Sequence, residues 1–180
     1  MTMKRAKHGA GRKQPRLPSS PRRINPRQAD PYTVRSPKTG FTACQGCHAI
    51  FEKKRWHFDE ARFAELSRRK EVKLTTCPAC QKIRDRYPEG ILTLRWAGLA
   101  AHRDDVIGLL RKEETRAKGV NPLERIMGIE QDRGEWQVTT TNVKLAQRLG
   151  RELERAYRGK ARYHWAHGDK LVRVVWERGE

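Results

Sequence analysis

Apolar positions divide the chain into three stretches. Up to residue 40, large apolar side chains are almost absent. From Phe58 to Lys70 they recur at helical spacing. Phe58, Ala61 and Phe63 fall near Leu66 on one side, with Arg62, Arg68, Arg69 and Lys70 mostly elsewhere. Asp59 is placed to cap the first turn, and Val72 to Thr75 reads as a short strand. Beyond residue 90 the periods alternate. Ile91 to Trp96 concentrates β-branched and aromatic residues and predicts a strand. Arg103 to Lys118 predicts a helix with Val106, Ile107 and Leu110 inward, Gly119 as its stop and Pro122 beyond. Arg125 to Gln131 predicts a strand, Asp132-Arg133-Gly134 a turn, and Trp136 to Thr140 the returning strand. Asn142 is placed to cap a helix reaching Tyr157. Its inward residues are Val143, Ala146, Leu149, Leu153 and Tyr157, and Gly159 ends it. Lys160 to His167 and Leu171 to Trp176 predict a last hairpin across Gly168-Asp169.

The order after residue 90 is β-α-β-β-α-β-β. Its first six elements fit the split β-α-β, ferredoxin-like pattern, with both helices on one face of the sheet. The expected fold class is α+β in three regions. These are a disordered basic arm (1–40), a ribbon-like zinc-knuckle domain with four cysteines (41–90) and a split β-α-β domain (91–180).

Charge narrows the partners. The 180 residues fit one or two small domains. Forty Lys and Arg against 21 Asp and Glu give a formal net charge of +19. That much like charge repels itself in a compact protein, and a polyanion relieves it. DNA, RNA and an anionic membrane surface all qualify. Residues 1–40 hold 11 Lys or Arg, one acid (Asp30) and six of the nine prolines. Such a segment cannot recover its ordering entropy by burial. It is either a solubilising tail or an arm threading along phosphates through Arg12, Lys13, Arg16, Arg22, Arg23 and Arg27. No apolar run resembles a signal peptide or spans a bilayer. A cytoplasmic protein with reduced cysteines and no membrane partner is expected.

The four cysteines carry the most specific signal. Cys44-Gln45-Gly46-Cys47 and Cys77-Pro78-Ala79-Cys80 are two C-x2-C knuckles, each presenting two thiols from a tight turn. Gly46 permits the backbone geometry of one and Pro78 stiffens the other. Together they supply the tetrahedral sulfur shell of a closed structural zinc site, with one Zn2+ and no position open for catalysis. An iron–sulfur cluster and a dithiol redox pair are the alternatives. His48 is a weaker candidate ligand. The metal would add folding energy to a segment with little core. It would also make a rigid surface carrying Lys53, Lys54, Arg55, Lys82, Arg84 and Arg86, which suit phosphate contacts. Trp56 either stacks on a base or lies as a lid over the zinc.

Chemistry elsewhere is sparse. No phosphate loop, dinucleotide fingerprint or HExxH occurs. Asp104 and Asp105 are adjacent and favour a helix start rather than acting as a pair. His102, His164 and His167 are scattered. Thr140, Thr141 and Asn142 sit at a strand-to-helix junction, either to receive phosphate at a helix amino terminus or simply to cap it. Arg148, Arg151 and Arg155 make the following helix basic, as an RNA contact or a solvated face. No enzymatic constellation results.

The two knuckles followed by Gly90-Ile91-Leu92-Thr93-Leu94-Arg95 resemble the zinc-binding adaptor family of the large ribosomal subunit. So does the stretch from Arg125-Ile126-Met127 to Arg155, with Val138-Thr139-Thr140-Thr141-Asn142 and Leu145-Ala146-Gln147-Arg148-Leu149. Eukaryotic members of that family are nuclear export adaptors, with shorter archaeal relatives. The resemblance spans roughly residues 41 to 177. It implies binding to ribosomal RNA on the intersubunit face of the large subunit, with Cys44, Cys47, Cys77 and Cys80 as zinc ligands. Members often have more cysteines, so one zinc rather than two is expected here. A small bacterial relative acting in ribosome hibernation, stress or assembly is the leading expectation. A DNA-binding regulator and an RNA-modifying enzyme with a structural zinc are the other two.

Overall fold

The structure, a computed structural model, describes residue 32 and residues 41–69, 72–132, 134–165 and 170–179. The arm candidates Arg12, Lys13, Arg16, Arg22, Arg23 and Arg27 lie outside the described residues. So do Lys70, Arg133, His167, Gly168 and Asp169. The fold is mixed α+β, with two sheets and four α-helices among the described residues.

The amino-terminal unit opens with β1 (Phe41–Cys44), β2 (Ile50–Glu52) and β3 (Arg55–His57). It continues with α1 (Glu60–Arg68), β4 (Val72–Thr75) and α2 (Pro78–Arg84). Its sheet order is β3-β2-β1-β4. Strands β1 to β3 and helix α2 were not expected from the sequence, because each is too short to display a period. Lys53 and Lys54 form the two-residue turn between β2 and β3 with φ of 49° and 63°. Left-handed backbone at both positions matches the twist of a hairpin. Asp59 caps α1 by accepting from Arg62 N at 2.8 Å. Leu66, Ala43 and Ile50 form the small core under that helix.

One pairing positions the site. β4 runs parallel to β1, with Cys44 opposite Thr75, and α1 supplies the crossover that a parallel pair requires. Both strands therefore end at the same edge of the sheet. The knuckle at the end of β1 and the one just past β4 meet there.

The carboxy-terminal unit runs β5 (Gly90–Arg95), α3 (Arg103–Val120), β6 (Ile126–Asp132), β7 (Glu135–Thr140), α4 (Val143–Tyr157), β8 (Lys160–Trp165) and β9 (Val172–Glu177). Leu92 lies between Val138 and Val174 in register, and Leu94 between Trp136 and Trp176. These residues share one core with Val106, Leu110 and Ala117 of α3 and with Leu145, Ala146, Leu149 and Leu153 of α4. Fully burying each large side chain contributes about 1.5–3 kcal/mol, which is why the period-2 and period-3.6 patterns are obeyed here.

Three expectations are corrected. In the split β-α-β pattern the strand after the second helix lies beside the first strand. Here the order is β6-β7-β5-β9-β8, so β8 takes the edge and the final strand β9 pairs parallel with β5. The side chains explain it: Val172, Val174 and Trp176 of β9 are fully buried, whereas Lys160, Arg162, His164 and Trp165 of β8 are exposed and suit an edge. Gly119 does not stop α3, which passes through it to Val120 and closes with Asn121 N donating to Ala117 O at 2.8 Å. The left-handed residue ending α4 is Arg158 (φ 53°) rather than Gly159. Gly159 instead packs against Trp176, where a Cβ would stand 2.4 Å from the indole.

Candidate metal centre

Cys44 is the last residue of β1, and a tight turn returns Cys47 beside it, with His48 N donating to Cys44 O at 2.8 Å. Cys77 is the amino-terminal cap of α2, with Pro78 as the first helical residue, where its missing N–H costs nothing. One turn later Cys80 faces the same way. The four Sγ atoms lie within 4.8 Å of one another, and no disulfide joins them. Cys47 Sγ and Cys77 Sγ are 3.7 Å apart. Metal–sulfur bonds of about 2.3 Å in a tetrahedron put the sulfurs about 3.8 Å apart. The donor set thus fits one metal ion held by four thiolates.

The surroundings fit a negative centre. Cys77 N donates to Cys44 Sγ at 3.3 Å and Cys80 N to Cys77 Sγ at 3.4 Å. Gly46 closes over the cluster, where an added Cβ would lie 3.7 Å from Cys80 Sγ and 4.0 Å from Cys44 Sγ. Cys44 and Cys77 are fully buried. They pack with Ala49, Trp56 and Ala79, against Phe51 and Leu123.

Arg125, from the segment between α3 and β6, completes the shell. Its Nη1 donates to Cys80 Sγ at 3.4 Å, and its Nε donates to Pro122 O at 2.8 Å. Its guanidinium also lies 5.9 Å from the Phe58 ring centroid. Cys47 is pulled down to about 4, first by the hydrogen bond from the Cys77 thiol and then by Arg125. Cys77 is pushed up by its bond to Cys47 and by burial. Cys80 is pushed up to about 11, first by burial and then by the charge on Cys47. Crowding of Cys47, Cys77 and Cys80 thus disfavours more than one thiolate among the three. A bound cation lets all of them ionise.

His48 is not among the clustered donors. Its Nδ1 sits 3.0 Å from Glu60 Oε1 and its ring stacks on Phe63 at 4.2 Å.

Several residues expected to face nucleic acid are committed elsewhere. Trp56 is 7% exposed and packs over the cysteines, tilted against Phe51, so it is the lid rather than a stacking platform. Lys82 is buried, with Nζ 2.7 Å from Glu89 Oε1 and donating to Thr141 O at 3.2 Å. Thr140 Oγ1 donates to Asn142 O at 2.9 Å. Thr141 Oγ1 donates to Leu123 O at 2.6 Å and accepts from Arg125 N at 2.9 Å. Asn142 caps α4 by accepting from Lys144 N at 2.7 Å. Thr141 thus ties the strand-to-helix junction to Leu123 and Arg125 beside the cysteines, while Thr140 and Asn142 hold the junction itself.

Of the cations expected to face nucleic acid, the exposed ones lie in three places. Lys53, Lys54 and Arg55 surround the β2–β3 turn, and Arg84 and Arg86 lie at the end of α2. Arg84 pairs with Asp85 at 2.9 Å. On α4, Arg151 and Arg155 are exposed, while Arg148 is half-buried and 3.7 Å from Glu124. Arg125 went unnoticed as a site residue, and the sequence signal for it was weak: a basic residue after Pro122, 45 positions from Cys80.

Fold and site define a mixed α+β protein with a four-cysteine centre able to hold one metal ion. No protein-family model, curated protein or solved structure matches the chain. Among the described residues, no helix is long and apolar enough to cross a membrane.

Proposed function

We propose that this chain is a non-enzymatic, zinc-containing RNA-binding protein of the cytoplasm that associates with the large ribosomal subunit. In this reading it is a small bacterial relative of the zinc-binding subunit adaptors. It binds ribosomal RNA on the intersubunit face and acts in hibernation, stress or assembly. The amino-terminal unit is then a ribbon-like zinc-knuckle module, and the carboxy-terminal unit a variant of the ferredoxin-like sheet with an inserted strand.

One observation carries the reading: four cysteine sulfurs clustered closely enough to hold one metal ion, in a chain of net charge +19. Four sulfur ligands leave no coordination position for a substrate, so the metal is a scaffold. The excess of cations then calls for a polyanion. Lys53, Lys54, Arg55, Arg84 and Arg86 supply exposed charge on the unit the metal makes rigid.

Cosedimentation with isolated ribosomal subunits at graded salt tests the proposal. The protein is expected to travel with the large subunit at low salt and to be released progressively as salt rises. Protein that stays at the top of the gradient at every salt concentration, yet binds one DNA duplex sequence tightly, would make it a DNA-binding regulator instead.

A further inference from the structure

The solvent side of α4 carries a run of cations that its core packing does not explain. Lys144, Arg148, Arg151, Arg155 and Arg158 are spaced 4, 3, 4 and 3 residues apart along α4 and its cap. That spacing places them in one stripe, opposite the face where Leu145, Leu149 and Leu153 enter the core. From Lys144 to Arg155 the stripe is about 17 Å long. Two of the five have acidic neighbours, Glu152 at 2.7 Å from Arg155 and Glu124 at 3.7 Å from Arg148, whereas Lys144, Arg151 and Arg158 have no ion-pair partner among the described residues. The other acid of α4, Glu154, accepts from Ala161 N at 2.8 Å.

An exposed aromatic ends the strand that packs beside the same helix. β8 runs back beside α4, since Ala161 bonds Glu154 and a Cβ on Gly150 would stand 3.3 Å from Tyr163 Oη. Ala161, Tyr163 and Trp165 share one face of β8. The strand therefore carries Trp165 on toward the first turns of α4. Trp165 is 56% exposed, whereas Trp56, Trp136 and Trp176 are buried.

We infer that the α4 stripe and Trp165 together form a binding platform for single-stranded RNA, with phosphates along the stripe and an unstacked base on the indole. The inference rests on the RNA-binding reading above and adds a strand state and a residue to it. A duplex keeps its bases stacked and offers nothing to an indole, whereas a loop or single strand offers a free π-face. The cations serve either form. The tryptophan is useful only to the open one.

Fluorescence anisotropy of the full-length, zinc-loaded protein tests this with three probes of equal length: single-stranded RNA, duplex RNA and single-stranded DNA. Trp165→Ala should weaken single-stranded RNA binding about 5- to 150-fold, leave duplex binding unchanged, and be rescued by Trp165→Phe. The exposed edge position keeps the variant folded, which circular dichroism checks. Replacing Lys144, Arg151 and Arg158 with Gln should lower the salt slope of single-strand binding by about 2. If Trp165→Ala binds every probe as the wild type does, the platform is refuted and the RNA reading stands. If the wild type binds no RNA, both fall. Equal or tighter binding to single-stranded DNA overturns RNA as the occupant.

Discussion

Arg125 Nη1 donates to Cys80 Sγ across 3.4 Å, joining a residue of the carboxy-terminal unit to the metal centre of the amino-terminal one. The same arginine gives its backbone N–H to Thr141 Oγ1. The hydroxyl at the start of α4 and the thiol at the start of α2 are thus two bonds of one residue. Outer partners of this kind typically change metal affinity 10- to 100-fold when removed. Arg125→Met keeps the length and the backbone bonds and removes the charge. A competition titration against a chromogenic chelator should show metal affinity falling within that range. An unchanged affinity would mean the contact is incidental.

Lys82 and Glu89 form a buried ion pair at 2.7 Å with side chains 9% and 10% exposed. Lys82→Met leaves Glu89 as an uncompensated buried charge, with an expected loss of about 3–5 kcal/mol. The double variant Lys82→Met, Glu89→Leu should recover most of that loss. Urea denaturation of the three proteins measures the difference.

Gly159 has no room for a side chain. A Cβ there would meet the Trp176 indole at 2.4 Å, and Trp176 is fully buried. Gly159→Ala should destabilise by about 1–3 kcal/mol through overpacking. Gly108 has open space around it, and Gly108→Ala should be neutral or stabilising by up to about 1 kcal/mol. Thermal melts of the pair make the comparison.

Metal removal should act first on the amino-terminal unit. Trp56 packs on Cys44 and Cys77, and among the described residues the core beneath α1 holds three fully buried apolar residues, Ala43, Ile50 and Leu66. Chelation should expose Trp56 and shift its fluorescence to longer wavelength. Hydrogen exchange should rise in β1 to β4 before it rises in β5, β7 and β9.

The legible parts of the sequence were those with a local cause. The C-x2-C spacing marked the cysteine cluster, and Asp59 and Asn142 marked helix starts. The alternation of Leu92 and Leu94, and of Val172, Val174 and Trp176, marked strands because a pleated strand sends alternate residues to the core. The illegible parts depend on partners distant in sequence. Lys82 looked like any surface lysine, because nothing local says that Thr141 lies against it. Thr141 looked free to receive a phosphate because Leu123 and Arg125, which occupy its hydroxyl, are brought near only by the fold. β2 and β3 are too short to show a period. The place of β9 beside β5 was written in its burial, but choosing the inner of two neighbouring strands required comparing it with the polar β8.

Native mass spectrometry of the full-length protein, purified without added metal, bears most directly on the four-cysteine centre. The expected mass is that of the chain plus one zinc ion, with all four thiols resistant to alkylation until the metal is removed. A metal-free chain with an unchanged near-ultraviolet circular dichroism spectrum and four freely alkylated cysteines would contradict it.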